Sequence, residues 1–136
     1  MKINDITYRI IGSIYKVYNQ LGPGLLESVY EQALCYQMHK DGLKVENQVS
    51  VPIQYDGVKL STPLRIDILV EDAVIIELKS VTELAGVHFK QIDTYLRLSG
   101  KEVGLLVNFN TDNIQNTIYR RLNSSNPDVL LDNGNQ

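Results

Sequence analysis

Cysteine is nearly missing. Cys35 stands alone among 136 residues, so neither a disulfide framework nor a cysteine-based zinc site is available. On its own it reads as a small hydrophobe on a helix. Long apolar runs are missing too: the best candidates, residues 66–70 and 73–76, are interrupted by Asp and Glu. They fall far short of the ~18–20 apolar residues that span a bilayer. The opening MKINDITYRI has no apolar h-region and no small-residue cleavage site. No secretory signal is therefore expected, and the cytoplasm is the default compartment. Nor is there a basic excess, since the formal charge is -3. That argues against a dedicated nucleic-acid binder, which carries a basic footprint. An enzyme acting on nucleic acid is not excluded, because charge lining a cleft outweighs the total and a bound divalent ion offsets part of the deficit. What remains is ordinary globular composition, 43% hydrophobic and 21% charged, at a length that suits one domain with a real core.

Periodicity divides the chain. Ile3, Ile6, Ile10, Ile14 and Val17 recur at helical spacing and predict a helix over residues 3–20. A second stripe of Tyr8, Ile11, Tyr15 and Tyr18 beside it implies either deep packing or a homodimer contact through this helix. Gly22-Pro23-Gly24 breaks it. A second helix is expected over 25–40, with Leu26, Val29, Tyr30, Ala33 and Gln37 on one face, ended by Gly42. Three antiparallel strands should follow, over 45–55, 60–70 and 73–80, turning at Asp56-Gly57 and Glu71-Asp72. A third helix over 84–99 leads to a very apolar strand over 102–109, the pattern of a buried central strand. That strand–helix–strand crossover should be right-handed and parallel. Residues 113–122 read as a helix or a short strand, with helix preferred. The expected organisation is one domain over 1–122 and a flexible tail over 123–136.

The chemistry concentrates in one hairpin. In Val74-Ile75-Ile76-Glu77-Leu78-Lys79, alternation sends Glu77 and Lys79 to one side. Ile66-Asp67-Ile68 repeats the device of an acid between β-branched apolar residues. Such charges on buried strands are costly unless they are paired or bind something. A two-residue turn at Glu71-Asp72 would pair Asp67 with Ile76 and place the two acids on opposite faces. Convergence therefore requires an odd loop or a bulge, and an irregularity between Asp67 and Glu77 is expected. Two converging carboxylates would suit Mg²⁺ or Mn²⁺ better than zinc. An Asp/Glu–Lys ion pair at a strand end would explain the hairpin alone equally well.

Asp67 followed by Glu77-Leu78-Lys79 resembles the PD-(D/E)xK nuclease signature. Gly24-Leu25-Leu26-Glu27-Ser28-Val29-Tyr30 resembles the motif of the GxxExxY protein family within that superfamily. His88, Gln91-Ile92-Asp93-Thr94-Tyr95 and Gly104-Leu105-Leu106-Val107-Asn108-Phe109 extend the likeness, which runs from about residue 10 to 109. The chain departs from the pattern at Asn110, where Gly is usual, and at Pro63, four residues before Asp67. The resemblance implies an α/β restriction-endonuclease-like core: a three-stranded antiparallel meander plus a crossover helix and parallel strand, behind two N-terminal helices. It implies a metal-dependent nuclease acting on DNA or RNA, or a catalytically silent module binding nucleic acid or protein. Asp67, Glu77 and Glu27 would hold the metal, Lys79 would assist the chemistry, and Gln91 and Tyr95 would line the cleft.

The helical spacing bears on these roles independently. His88, Gln91 and Tyr95 form a stripe about a quarter turn from the apolar Ala85, Phe89, Ile92 and Leu96. That is the arrangement of a cleft wall or of a solvated face. Lys90 and Arg97 lie on another side. Glu27, at a helix start, also fits ordinary capping chemistry.

Overall fold

In the computed structural model, which describes residues 1–125, the isoleucine repeat forms α1 (Ile3–Leu21). Ile6, Ile10, Ile14 and Val17 are its buried side. After the Gly-Pro-Gly break, α2 (Glu27–Lys40) returns beside it. Asp41, just past α2, fastens the two helices by accepting from Ser13 Oγ at 2.7 Å and Lys16 Nζ at 2.9 Å. The buried stripe of α2 is Tyr30, Leu34 and Met38. The expected face was rotated, for Leu26 is 75% exposed and Val29 39%. The anchor that turns the helix is Tyr30, whose ring stacks on Phe109 with centroids 4.3 Å apart.

The extended region begins with β1 (Val45–Val51), shorter than expected because Pro52 offers no N–H to continue the ladder. Asp56-Gly57 turns a separate small ribbon, β2 (Gln54–Tyr55) with β3 (Val58–Lys59). Pro63 delays β4 to Leu64–Val70, and β5 (Val74–Lys79) follows. α3 (Gly86–Ser99) then crosses to β6 (Val103–Asn108), which lies parallel to β5. Residues 113–122 are not a helix. A 3-10 turn (Ile114–Thr117) leads into β7 (Ile118–Leu122), antiparallel to β6. Without β7 the wholly buried β6 would be a bare edge.

The sheet order is β1-β4-β5-β6-β7. Helices α1 and α2 cover one face, against Ile68, Val70, Val74, Ile76 and Leu78. α3 covers the other face, seated where Gly104 leaves room for Ile92; a Cβ there would lie 2.9 Å from Ile92 Cδ1. Asn123, within the expected tail, is buried and donates to Leu96 O and Lys101 O. Residues 123–125 thus belong to the folded body, and the remainder of that tail lies outside the described residues.

Candidate active site

The irregularity that the site requires is present, and it lies in the turn. Val70 pairs with Val74 and Ile68 with Ile76, leaving a three-residue connection of Glu71, Asp72 and Ala73. Glu71 and Asp72 both adopt left-handed backbone, φ 52° and 54°. The odd count aligns Asp67 with Glu77, and alternation with Ile75 and Leu78 puts Glu77 on the α3 side of the sheet. At that point the ladder stops. Asp67 N–H donates to Glu77 Oε2 at 2.9 Å, and Leu78 N–H donates to Asp67 Oδ2 at 3.0 Å. The carboxylates stand where interstrand bonds would otherwise run, so the strands part around them.

A second irregularity faces the first. Gln48, in the middle of β1, has φ 51°. Asn47 pairs with Ile68 and Val49 with Ile66, so Gln48 lies across from Asp67. Side-chain alternation inverts there: Val45 and Ile68 pack with the α1–α2 core, whereas Val49 and Ile66 join Leu69, Ile75 and Leu96 under α3.

Burial and mutual repulsion govern the acids. Glu77 is pushed up to about 8, first by burial and then by the Asp67 charge; the Asp67 N–H and Lys79 pull the other way, and Glu31 adds repulsion. Asp67 is raised as well, chiefly by burial, with Glu31 and then Glu27 adding to the effect. Lys79 is half-buried and opposes both shifts, yet among the described residues it forms no ion pair within 4 Å. The closed acid–lysine knot is therefore not what this hairpin makes. Among the described residues neither Asp67 Oδ1 nor Glu77 Oε1 accepts a protein hydrogen bond. Two hard oxygens are thus left for a cation. Two carboxylates with water completing the shell are a donor set that Mg²⁺ accepts.

α3 brings Gln91 and Tyr95 to this face. Gln91 Nε2 donates to Tyr95 Oη at 3.2 Å, and Tyr95 packs on the Ile66 cluster. The Tyr95 hydroxyl is raised by burial and by the nearby Glu77 and Asp67 charges. His88 has a local task instead: its Nδ1 accepts the Ala85 N–H at 3.0 Å and caps α3.

α2 brings Glu27 only to the rim. Glu27 is exposed, and its charge is the smallest of the influences on Asp67. Among the described residues no three His, Cys, Asp or Glu side chains converge to hold an ion, so Glu27 does not close a three-carboxylate cage with Asp67 and Glu77. Tyr30 of the same motif is structural. Its hydroxyl donates to Gly22 O at 2.6 Å and accepts from Leu25 N–H at 3.1 Å, which fixes the turn that starts α2. Ser80 Oγ, donating to Leu25 O, ties that turn to the end of β5.

One polar residue of the neighbouring strand carries a role that no reading of the sequence assigned. Asn108 sits beside Lys79 in the parallel register. It is buried, and it holds the loop after β5 by accepting Val81 N–H at 3.1 Å and donating to Val81 O at 2.9 Å. An amide inside so apolar a strand, within the 104–109 segment that carries the family likeness, was its signal. Asn108 also lines a cleft of about 540 Å³ on the β7 side of α3, with Phe89, Asn110 and Tyr119.

The sequence pattern of the PD-(D/E)XK nuclease superfamily matches residues 4–121, from α1 into β7. The chain belongs to the PD-(D/E)XK nuclease superfamily. As a member of it, the chain is built on a restriction-endonuclease-like fold: a mixed five-stranded sheet between helices, with Asp67 and Glu77 on the β4–β5 hairpin. Among solved structures, the crystal structure of SSO0001 resembles it with a TM-score of 0.55 at 22% identity. The match covers 96% of this chain and 64% of that one, so this chain spans less than two thirds of its length. The likeness is one of fold. No curated protein matches the chain. Among the described residues of this superfamily member, no helix is long and apolar enough to cross a membrane.

Proposed function

We propose that this chain hydrolyses phosphodiester bonds of nucleic acid at a Mg²⁺ or Mn²⁺ site built on Asp67 and Glu77. The observation that carries the reading is the pairing of these acids across the β4–β5 opening, each with one oxygen uncommitted. Superfamily membership supports the reaction class, and the order of Glu27, Tyr30 and Asp67 supports the GxxExxY branch. When bound, the ion polarises a phosphoryl oxygen and lowers the pKa of a coordinated water. Everything else is done by the chain. Asp67 and Glu77 supply the hard oxygens, and Glu77 must give up its proton to do so. Lys79, with no acid partner within 4 Å among the described residues, offsets charge that develops on the phosphoryl oxygens. Tyr95, held by Gln91, walls the site and offers a hydroxyl donor toward substrate. Glu27 adds negative charge from the rim.

The test is cleavage of a panel of single- and double-stranded DNA and RNA with Mn²⁺, using Asp67→Ala as control. Cleavage lost in Asp67→Ala supports the reading. Binding without turnover by the unaltered protein would favour a silent nucleic-acid module. One further observation favours a homodimer: Tyr8 on α1 is 79% exposed, beside a groove of about 400 Å³ shared with Ile11 and Tyr15. Light scattering on the protein and on Tyr8→Glu would show a mass that halves in the variant.

A further inference from the structure

Of the two acids on the first turns of α2, the exposed one lies in the recognised motif and the half-buried one does not. Glu31, a turn beyond Glu27, accepts from Gln48 Nε2 at 2.8 Å and from Asn47 Nδ2 at 3.4 Å. Gln48 lies across the ladder from Asp67. It keeps a left-handed backbone in mid-strand, a conformation that a non-glycine residue holds only when its surroundings impose it. Side-chain alternation inverts at this pair, so the contortion of β1 and the opening at Asp67 are one feature.

We infer that Glu31, held by the strained Gln48, is the helix carboxylate that serves the cation site, in place of Glu27. This rests on the cation site proposed above. The absence of any three-acid cage among the described residues sets the mode. Glu31 acts through water bound to the ion, using lone pairs that Gln48 and Asn47 leave open. Gln48 is a positioning residue, and its backbone strain is kept because relaxing it would swing Glu31 away from the opening.

The experiment is calorimetric titration of the full chain with Mn²⁺ at pH 8, with thermal midpoints measured in parallel. Glu31→Gln should weaken binding about 10- to 100-fold, the range for residues that orient a metal's ligands or waters. Glu27→Gln should weaken it less. Gln48→Gly relieves the strain but removes the amide, so affinity should fall while the thermal midpoint holds or rises. A merely structural residue would move both down together. Gln48→Asn, which keeps an amide and tolerates the backbone, should recover part of the loss. Unchanged affinity in Glu31→Gln, or a larger loss in Glu27→Gln, would overturn the inference alone. A wild-type chain that binds no Mn²⁺ would overturn the cation site itself and this inference with it.

Discussion

Asp67 and Glu77 each occupy a backbone position on the other's strand: Glu77 accepts the Asp67 N–H, and Asp67 accepts the N–H that follows Glu77. The arrangement is reciprocal, so truncating either acid leaves an unpaired amide on the neighbouring strand. It also brings two carboxyl groups together, Glu77 buried and Asp67 half-buried. Stability and chemistry therefore read the same two residues.

That coupling makes stability pH-dependent in a defined direction. Glu77 holds its proton up to about 8, against an ordinary 4.5. Between those values the unfolded chain has lost a proton that the folded chain keeps. Metal-free protein is thus favoured at the acid end of the window and loses stability as pH rises through it, by at most about 1.4 kcal/mol per pH unit. Asp67 is raised too and contributes with the same sign. Thermal melts from pH 5 to 8 should show a falling midpoint, and Glu77→Gln should flatten the curve. A wild-type midpoint that rises across the window would contradict this.

Lys79 is expected to matter for rate and little for folding. It is half-buried and makes no ion pair within 4 Å among the described residues. Lys79→Ala should keep the thermal midpoint within a few degrees while lowering kcat by about 10²–10³, the scale for removing one group that stabilises developing charge. A variant with undiminished kcat would remove Lys79 from the chemistry.

Tyr30 should behave in the opposite way. Tyr30→Phe keeps the stack on Phe109 but leaves Gly22 O and Leu25 N–H without their shared partner. A loss of about 1–3 kcal/mol is expected by chemical denaturation. Mn²⁺ affinity should change little, because the hydroxyl holds a turn and touches neither strand acid.

Gly104 sets how closely α3 approaches the sheet. Gly104→Ala places a methyl 2.9 Å from Ile92 Cδ1, and overpacking of this kind costs about 1–3 kcal/mol. The helix it displaces carries Gln91 and Tyr95, so cleavage should fall as well. Ile92→Val, which removes the clashing carbon, should restore most of the stability when combined with it. An additive pair would mean that the contact is elsewhere.

Much of this was legible in the sequence because local signals agreed with the fold. The α1 repeat, the Gly-Pro-Gly break, the alternation around Asp67 and Glu77, and the apolar β6 each point to one kind of local structure. An odd loop or a bulge in the hairpin could be required in advance, since only one parity lets the acids meet. What escaped depended on partners distant in sequence. Helix and strand stay open over 113–122 in the sequence, because the strand identity of β7 comes from covering β6. The packed face of α2 was misjudged because the Tyr30–Phe109 stack turns it. Glu31 and Gln48 gave little signal, for a half-buried acid and a left-handed glutamine matter only once β1 lies across from β4.

The central claim is tested most directly by crystals soaked in Mn²⁺ at pH 8 and measured for anomalous scattering. The account predicts a peak between Asp67 Oδ1 and Glu77 Oε1, with Lys79 beside it. A map without that peak, in which the two carboxyl groups close on each other or on the Lys79 ammonium, would contradict it.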